Sequence, residues 1–171
     1  MTDTTRRDLL AAAPLLAALP QLLLAASGAE AAPDPTKTIV VPPTDIVFKP
    51  SLGAPPKSIE VAELFSHSSQ PGIYLNLTRW YPGWMSAPHY YATDRLCVVV
   101  SGTWWVTSGD DFDPNSTVPV KAGSFVRRVA KTSHYDGVKA GEPEPVTIAI
   151  CGMGPIEFTA VDPSKPKVRK V

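Results

Sequence analysis

Arg95-Leu96-Cys97-Val98-Val99-Val100-Ser101-Gly102-Thr103-Trp104-Trp105-Val106-Thr107 holds two β-forming runs parted by a single Ser-Gly pair. β-Branched and aromatic side chains favour the pleated backbone. A two-residue break ending in glycine suits a tight hairpin, because glycine adopts positive φ at little steric cost. Outward from this hairpin, short apolar runs alternate with turn signals: Ile59 to Phe65, Ile73 to Tyr81, Val118 to Val120, Ser124 to Val129, Val146 to Cys151 and Ile156 to Val161. Each has the length of a strand. In Ile73-Tyr74-Leu75-Asn76-Leu77-Thr78 aliphatic and more polar residues alternate, the period of a strand with one buried face. Ser108-Gly109-Asp110-Asp111 and Asp136-Gly137 read as further turns. Strands at such spacing, with no helical periodicity between them, predict an all-β sandwich or barrel in a single domain.

Composition agrees. Hydrophobic residues make up 44% and charged residues 19% of the 171 residues, enough to close a core. The 19 prolines disfavour helix interiors and point to short strands with rigid loops. No internal repeat and no low-complexity segment interrupts the pattern.

The first 31 residues stand apart as a leader: a polar start with Arg6-Arg7, an apolar run from Leu9 to Ala26, and Ala29-Glu30-Ala31 before Ala32-Pro33. That is the layout of a secretory signal. Thr5-Arg6-Arg7-Asp8-Leu9-Leu10 resembles the twin-arginine export motif. The competing reading, a membrane anchor, is weakened by Pro14 and Pro20 within the run and by the Ala-x-Ala site after it. A periplasmic or secreted location is therefore expected, with no membrane association after cleavage. Without the leader, 14 basic and 13 acidic residues remain, a balance that gives no electrostatic case for nucleic acid. Export also places Cys97 and Cys151 where a disulfide is permitted. Both lie in apolar runs, so a bridge and two buried thiols stay equally open.

Residues 32–58 read as a proline-rich arm laid across the barrel, residues 59–162 as the barrel itself, and residues 163–171 as a solvated, frayed tail. Adjacent Trp104 and Trp105 must face opposite sides of their sheet, so one needs a cover from the arm or from a second subunit. A homodimer is a modest expectation on that ground. His67 falls in a loop and reads as exposed.

Two spaced motifs carry the chemistry. Gly83 is followed by five residues, His89, Tyr91, three residues, Arg95, six residues and Gly102. Gly123 is followed by five residues, Val129-Ala130-Lys131, two residues, His134, three residues and Val138. Both frames resemble the two motifs of the cupin superfamily, and the resemblance runs from Gly83 to Val138. It implies a cupin-type jelly-roll β-barrel with a metal site in its mouth. Of the four ligands that the superfamily uses, His89 and His134 stand in place; the second histidine is Tyr91 and the glutamate is Arg95.

Arg95 carries only donors and stays protonated, so it ligates no cation. It suits instead a substrate carboxylate, which it can hold through two parallel hydrogen bonds. Tyr91, two residues from His89, shares its face of a strand and is a candidate metal ligand or general acid–base. Its uncharged alternative is a hydrogen-bonding residue lining a pocket. Asp94 has ligand chemistry, but strand alternation turns it to the other face unless a bulge intervenes.

The ion would be a divalent or trivalent transition metal, Fe, Mn, Zn, Ni or Cu, which so few ligands cannot distinguish. Two function classes follow. One is a metal-dependent small-molecule enzyme of oxygenase, lyase or isomerase type, built on His89, His134, Tyr91 and Arg95. The other is a non-catalytic barrel that binds a small anion without metal.

Overall fold

The computed structural model describes residue 34 and residues 36–171, so the expected export signal lies outside the described residues. In chain order the strands are β1 (Lys49–Pro50), β2 (Ile59–Phe65), β3 (Gly72–Trp80), β4 (Trp84–Ser86), β5 (His89–Tyr90), β6 (Arg95–Ser101) and β7 (Thr103–Ser108). There follow β8 (Val118–Lys121), β9 (Phe125–Arg128), β10 (His134–Val138), β11 (Val146–Gly154), β12 (Thr159–Ala160) and β13 (Val168–Lys170). Short 3-10 turns at Pro43–Asp45 and Pro114–Ser116 are the helical elements among the described residues, and no helix there is long and apolar enough to cross a membrane.

Two antiparallel sheets face each other. The larger has the order β1-β2-β3-β11-β6-β9, and the second has β12-β5-β10-β4-β13, with β7 and β8 attached through β10. The Ser101-Gly102 break is the expected hairpin, with Gly102 at φ 74°. A β-carbon there would meet the Pro145 carbonyl at 2.6 Å, so glycine is required twice over. All-β class and jelly-roll architecture are as the sequence predicted.

The larger sheet alternates cleanly, but its sense is unusual. On β3 the buried set is Tyr74, Asn76, Thr78 and Trp80, while Ile73, Leu75 and Leu77 point outward. Register extends both faces across the sheet: Ile148, Ile150, Cys97 and Val99 join the inner side, and Cys151, Ala149, Leu96 and Val98 the outer. The lower half of the barrel is apolar, with Trp80, Trp104, Val106, Val138, Val146 and Ile148 in one cluster. The upper half is polar, which leaves aliphatic residues for the outside.

Cys97 and Cys151 thus sit on opposite faces of neighbouring strands, and both are free thiols. Burial pushes the Cys97 thiol up to about 11. Side chains on opposite faces cannot reach each other, which closes the disulfide question.

Two local expectations are corrected. Val168–Lys170 is not a frayed tail: as β13 it pairs with Trp84–Ser86, because the edge of β4 offers unmet backbone groups. Trp105, the outward member of the pair, meets the segment that leads into β11. Glu142 accepts its indole N–H at 2.9 Å and Lys139 lies 4.0 Å from the ring centroid. Asp136-Gly137 is no turn but the middle of β10, paired with β4 and β7. A β-carbon at Gly137 would clash with the Trp84 carbonyl and stand 2.6 Å from Met85 Cα, so this glycine serves close strand approach.

Gly137→Ala is therefore expected to cost about 1–3 kcal/mol by overpacking the β4–β10 contact. Urea denaturation followed by near-UV circular dichroism measures this, and an unchanged midpoint would contradict the packing described.

Candidate functional site

His89 on β5 and His134 on β10 are register partners, brought together from positions far apart in the chain. Each is 3% exposed, and their ring centroids lie 4.5 Å apart. The same local device aims both rings. His89 Nδ1–H donates to the Ala87 carbonyl at 2.8 Å, and His134 Nδ1–H to the Thr132 carbonyl at 3.0 Å, in each case two residues back. A carbonyl only accepts, so the proton sits on Nδ1 and each Nε2 keeps a bare lone pair. Burial drives the His89 pKa down to about 3, with His134 beside it adding to the effect. Burial likewise takes His134 down to about 4, helped by the Arg128 charge. Both imidazoles are neutral donors at physiological pH.

Tyr91 completes the cluster, its ring centroid 5.1 Å from His89 and 6.0 Å from His134. Burial raises its pKa, so the phenol keeps its proton. The Arg95 guanidinium carbon sits 4.3 Å from the Tyr91 ring centroid, a cation–π contact. Arg95 remains charged although burial works against the cation, because a guanidinium does not give up its proton in a protein. Phe158 stacks on His89 at 4.4 Å with a 16° interplanar angle and walls the site from the β12 side.

The four residues singled out from the sequence, His89, His134, Tyr91 and Arg95, thus converge in the barrel. Asp94 does not join them. Its carboxylate accepts from the Ala130 N–H at 2.8 Å and from Arg127 Nε at 2.7 Å on the far side of the strand, as alternation requires. His67 is exposed, 3.2 Å from the Ser69 hydroxyl.

Sequence reasoning missed Asp136. Two residues beyond His134, it shares that inner face, and taking Asp-Gly as a turn hid the signal. Its carboxylate accepts from Arg128 at 3.0 Å and from the Trp104 indole at 3.1 Å. Burial alone would raise its pKa, but the Arg128 charge, helped by the Trp104 hydrogen bond, holds it below the usual carboxylate value.

The donor set can be tested against a metal. Two imidazoles bound to one ion through Nε2 at about 2.0–2.1 Å, and about at a right angle, would place their centroids about 4.5 Å apart. The spacing, the bare Nε2 lone pairs and the neutral rings all fit. The remainder of the shell is thinner: among the described residues no group of three or more His, Cys, Asp or Glu converges, and Asp136 is spent on Arg128 and Trp104. Any further protein ligand would have to be Tyr91.

Fold and site define a cupin-type jelly roll with a paired-histidine interior. Neither a protein-family model nor a curated protein sequence matches the chain. Solved structures do match, as likenesses of fold. The polyketide cyclase RemF of Streptomyces resistomycificus superposes with TM-score 0.62 at 14% identity, over 74% of this chain and 87% of the cyclase. An RmlC-like cupin protein of Ralstonia eutropha gives 0.57 at 16% identity, over 78% and 80% of the two chains. A cupin-2 domain of Rhodospirillum rubrum gives 0.54 at 15%, over 77% and 84%.

The depressed histidine pKa values set an acid limit. An unfolded chain takes up protons near 6.5 that the native sites refuse, so stability is full above 6.5 and is lost as pH falls toward about 4 and about 3. For chelator-treated protein the urea midpoint should drop across that window, and the slope should flatten in a His89→Gln/His134→Gln variant. Parallel curves for the two proteins would contradict the neutral, buried pair.

Proposed function

We propose that the chain is an exported enzyme that acts on a small molecule through a metal ion held by His89 and His134. The observation that carries this reading is the paired imidazoles, register partners with both Nδ1 atoms tied to backbone carbonyls. When bound, the ion would act as a Lewis acid toward a substrate oxygen. Tyr91, a protonated phenol at the edge of the histidine pair, is placed to ligate or to pass a proton at its Oη. Arg95 orients an anionic substrate, and Phe158 with Tyr91 keeps bulk water from the imidazoles. The likeness in fold to a polyketide cyclase is compatible with such an activity.

The second reading, a metal-free barrel binding a small anion, is favoured by one observation: no third His, Cys, Asp or Glu joins the pair among the described residues. Elemental analysis of protein recovered from the periplasm or medium separates the two. The enzyme reading expects about one transition-metal ion per chain, with loss of more than about ten-fold in metal affinity in His89→Ala and in His134→Ala. Metal-free wild-type protein would sink it, and full-length chain retained in the cytoplasm would sink the export reading.

A homodimer is proposed as well, through the outer face of the larger sheet. Leu96 at 47%, Val98 at 45%, Phe125 at 63% and Ile73 at 55% exposure form an uncovered apolar surface there. A second copy would cover these side chains with its own, and the charged residues of the same face, Arg127 with Asp94 and Arg79 with Glu60, are already paired within the chain. Analytical ultracentrifugation should find a dimer that Val98→Glu converts to monomer; a monomeric wild type would end this proposal.

A further inference from the structure

Tyr74, Gly152, Arg95 and Arg128 form one row on the inner side of the larger sheet, in direct register across β3, β11, β6 and β9. Arg128 has its carboxylate in Asp136. Arg95 has none among the described residues: its Nε is buried without a hydrogen-bond partner, and its guanidinium lies against the Tyr91 ring with the Tyr74 side chain beside it. Tyr74 is wholly buried, and its hydroxyl is also without a partner.

Gly152 explains how the tyrosine lies. A β-carbon there would stand 2.7 Å from the Tyr74 Oη and 2.9 Å from its ring. The ring therefore lies across the bare glycine of β11, directed from β3 toward β6, the strand that carries Arg95. Asn76, the next inward residue on β3, is 3% exposed, and its Oδ1 too is unmet.

Leaving such groups unpaired in an interior costs about 1–3 kcal/mol each, and native proteins leave few. Arg95 Nε, Tyr74 Oη and Asn76 Oδ1 belong to neighbouring positions of one inner face, with Arg128 Nε, also unmet, at the end of the row, and such a group calls for a polar ligand. The charges agree, since Asp136, the carboxylate nearest the two guanidinium groups among the described residues, is already paired with Arg128. Burial keeps the Tyr74 phenol protonated, so it donates. The corner then offers two donors, Arg95 Nε–H and Tyr74 O–H, and one acceptor, Asn76 Oδ1. An anion takes the donors, and a neighbouring hydroxyl satisfies the acceptor.

We propose that Arg95, Tyr74 and Asn76 form a carboxylate subsite for a small hydroxy acid, with Gly152 making the room that brings the tyrosine into place. Packed sheets lie about 10 Å apart, so an acid seated here leaves a span of only a few heavy atoms to His89 and His134 on the facing sheet. The inference rests on the reading that the barrel interior binds a small anion, and holds whether or not a metal is present.

Titration calorimetry with glycolate, acetate and the neutral glycolamide tests it on the exported chain. Glycolate should bind more tightly than acetate, and glycolamide not measurably. Tyr74→Phe should weaken both acids by about ten-fold, because it removes a hydrogen bond to a charged group. Asn76→Ala should remove the preference for glycolate and leave acetate binding intact. Gly152→Ala, which displaces the tyrosine, should repeat the Tyr74→Phe result, and near-UV circular dichroism confirms that each variant is folded. Acid binding that survives in His89→Ala while metal is lost supports the subsite independently of the metal reading. Acids bound no better than the amide, equal affinity in Tyr74→Phe, or no acid bound by wild-type protein would each overturn it.

Discussion

The buried ion pair between Arg128 and Asp136 holds the upper half of this barrel together. It joins β9, the last strand of one sheet, to β10, the central strand of the other, at 3.0 Å, with both side chains about nine-tenths buried. Trp104 donates to the second carboxylate oxygen, and Arg128 also reaches the Thr107 carbonyl at 3.2 Å. Such a pair is not itself a large source of stability, but losing one partner strands the other charge at a cost of about 3–5 kcal/mol. Its value here is positional. Asp136 is two residues from His134, so whatever fixes one on the inner face fixes the other.

That pair also sets the electrostatics of the cavity. With Asp136 neutralised by Arg128, the histidines receive little help in becoming charged, and burial keeps them neutral. Arg95 is left as a cation without a paired carboxylate among the described residues. A paired-imidazole corner on one sheet and a cationic corner on the other give the interior two chemically different ends.

The price of a polar interior appears on the outside. Tyr74, Asn76 and Thr78 face inward on β3, so the intervening Ile73, Leu75 and Leu77 face outward, and β6 follows suit with Leu96 and Val98. A strand has only two faces, and when one serves a site, the aliphatic residues needed for strand propensity occupy the other. The apolar outer surface is thus a structural consequence of the polar inner one.

The hairpin of Arg95 to Thr107 was legible because apolar runs with a glycine break have few alternatives. Long strands of the larger sheet, β2, β3, β6 and β11, were legible for the same reason. His89, His134, Tyr91 and Arg95 were legible as candidates because their frames resemble the two cupin motifs. The strands that carry the site were not: β4, β5, β10 and β13 are short and rich in His, Tyr, Ser, Asp and Lys, and have no apolar period to announce them. Asp136-Gly137 looked like a turn because local propensity cannot foresee a strand packed too closely for a β-carbon. By itself the sequence determined the β class, the hairpin and the residue types at the site, since these depend on neighbours along the chain. Only tertiary structure decided which face of each strand turns inward, that Asp136 stands behind His134, and that Tyr74 crosses Gly152 toward Arg95. Those depend on register between strands distant in sequence, where a shift of one residue would turn every side chain to the other side.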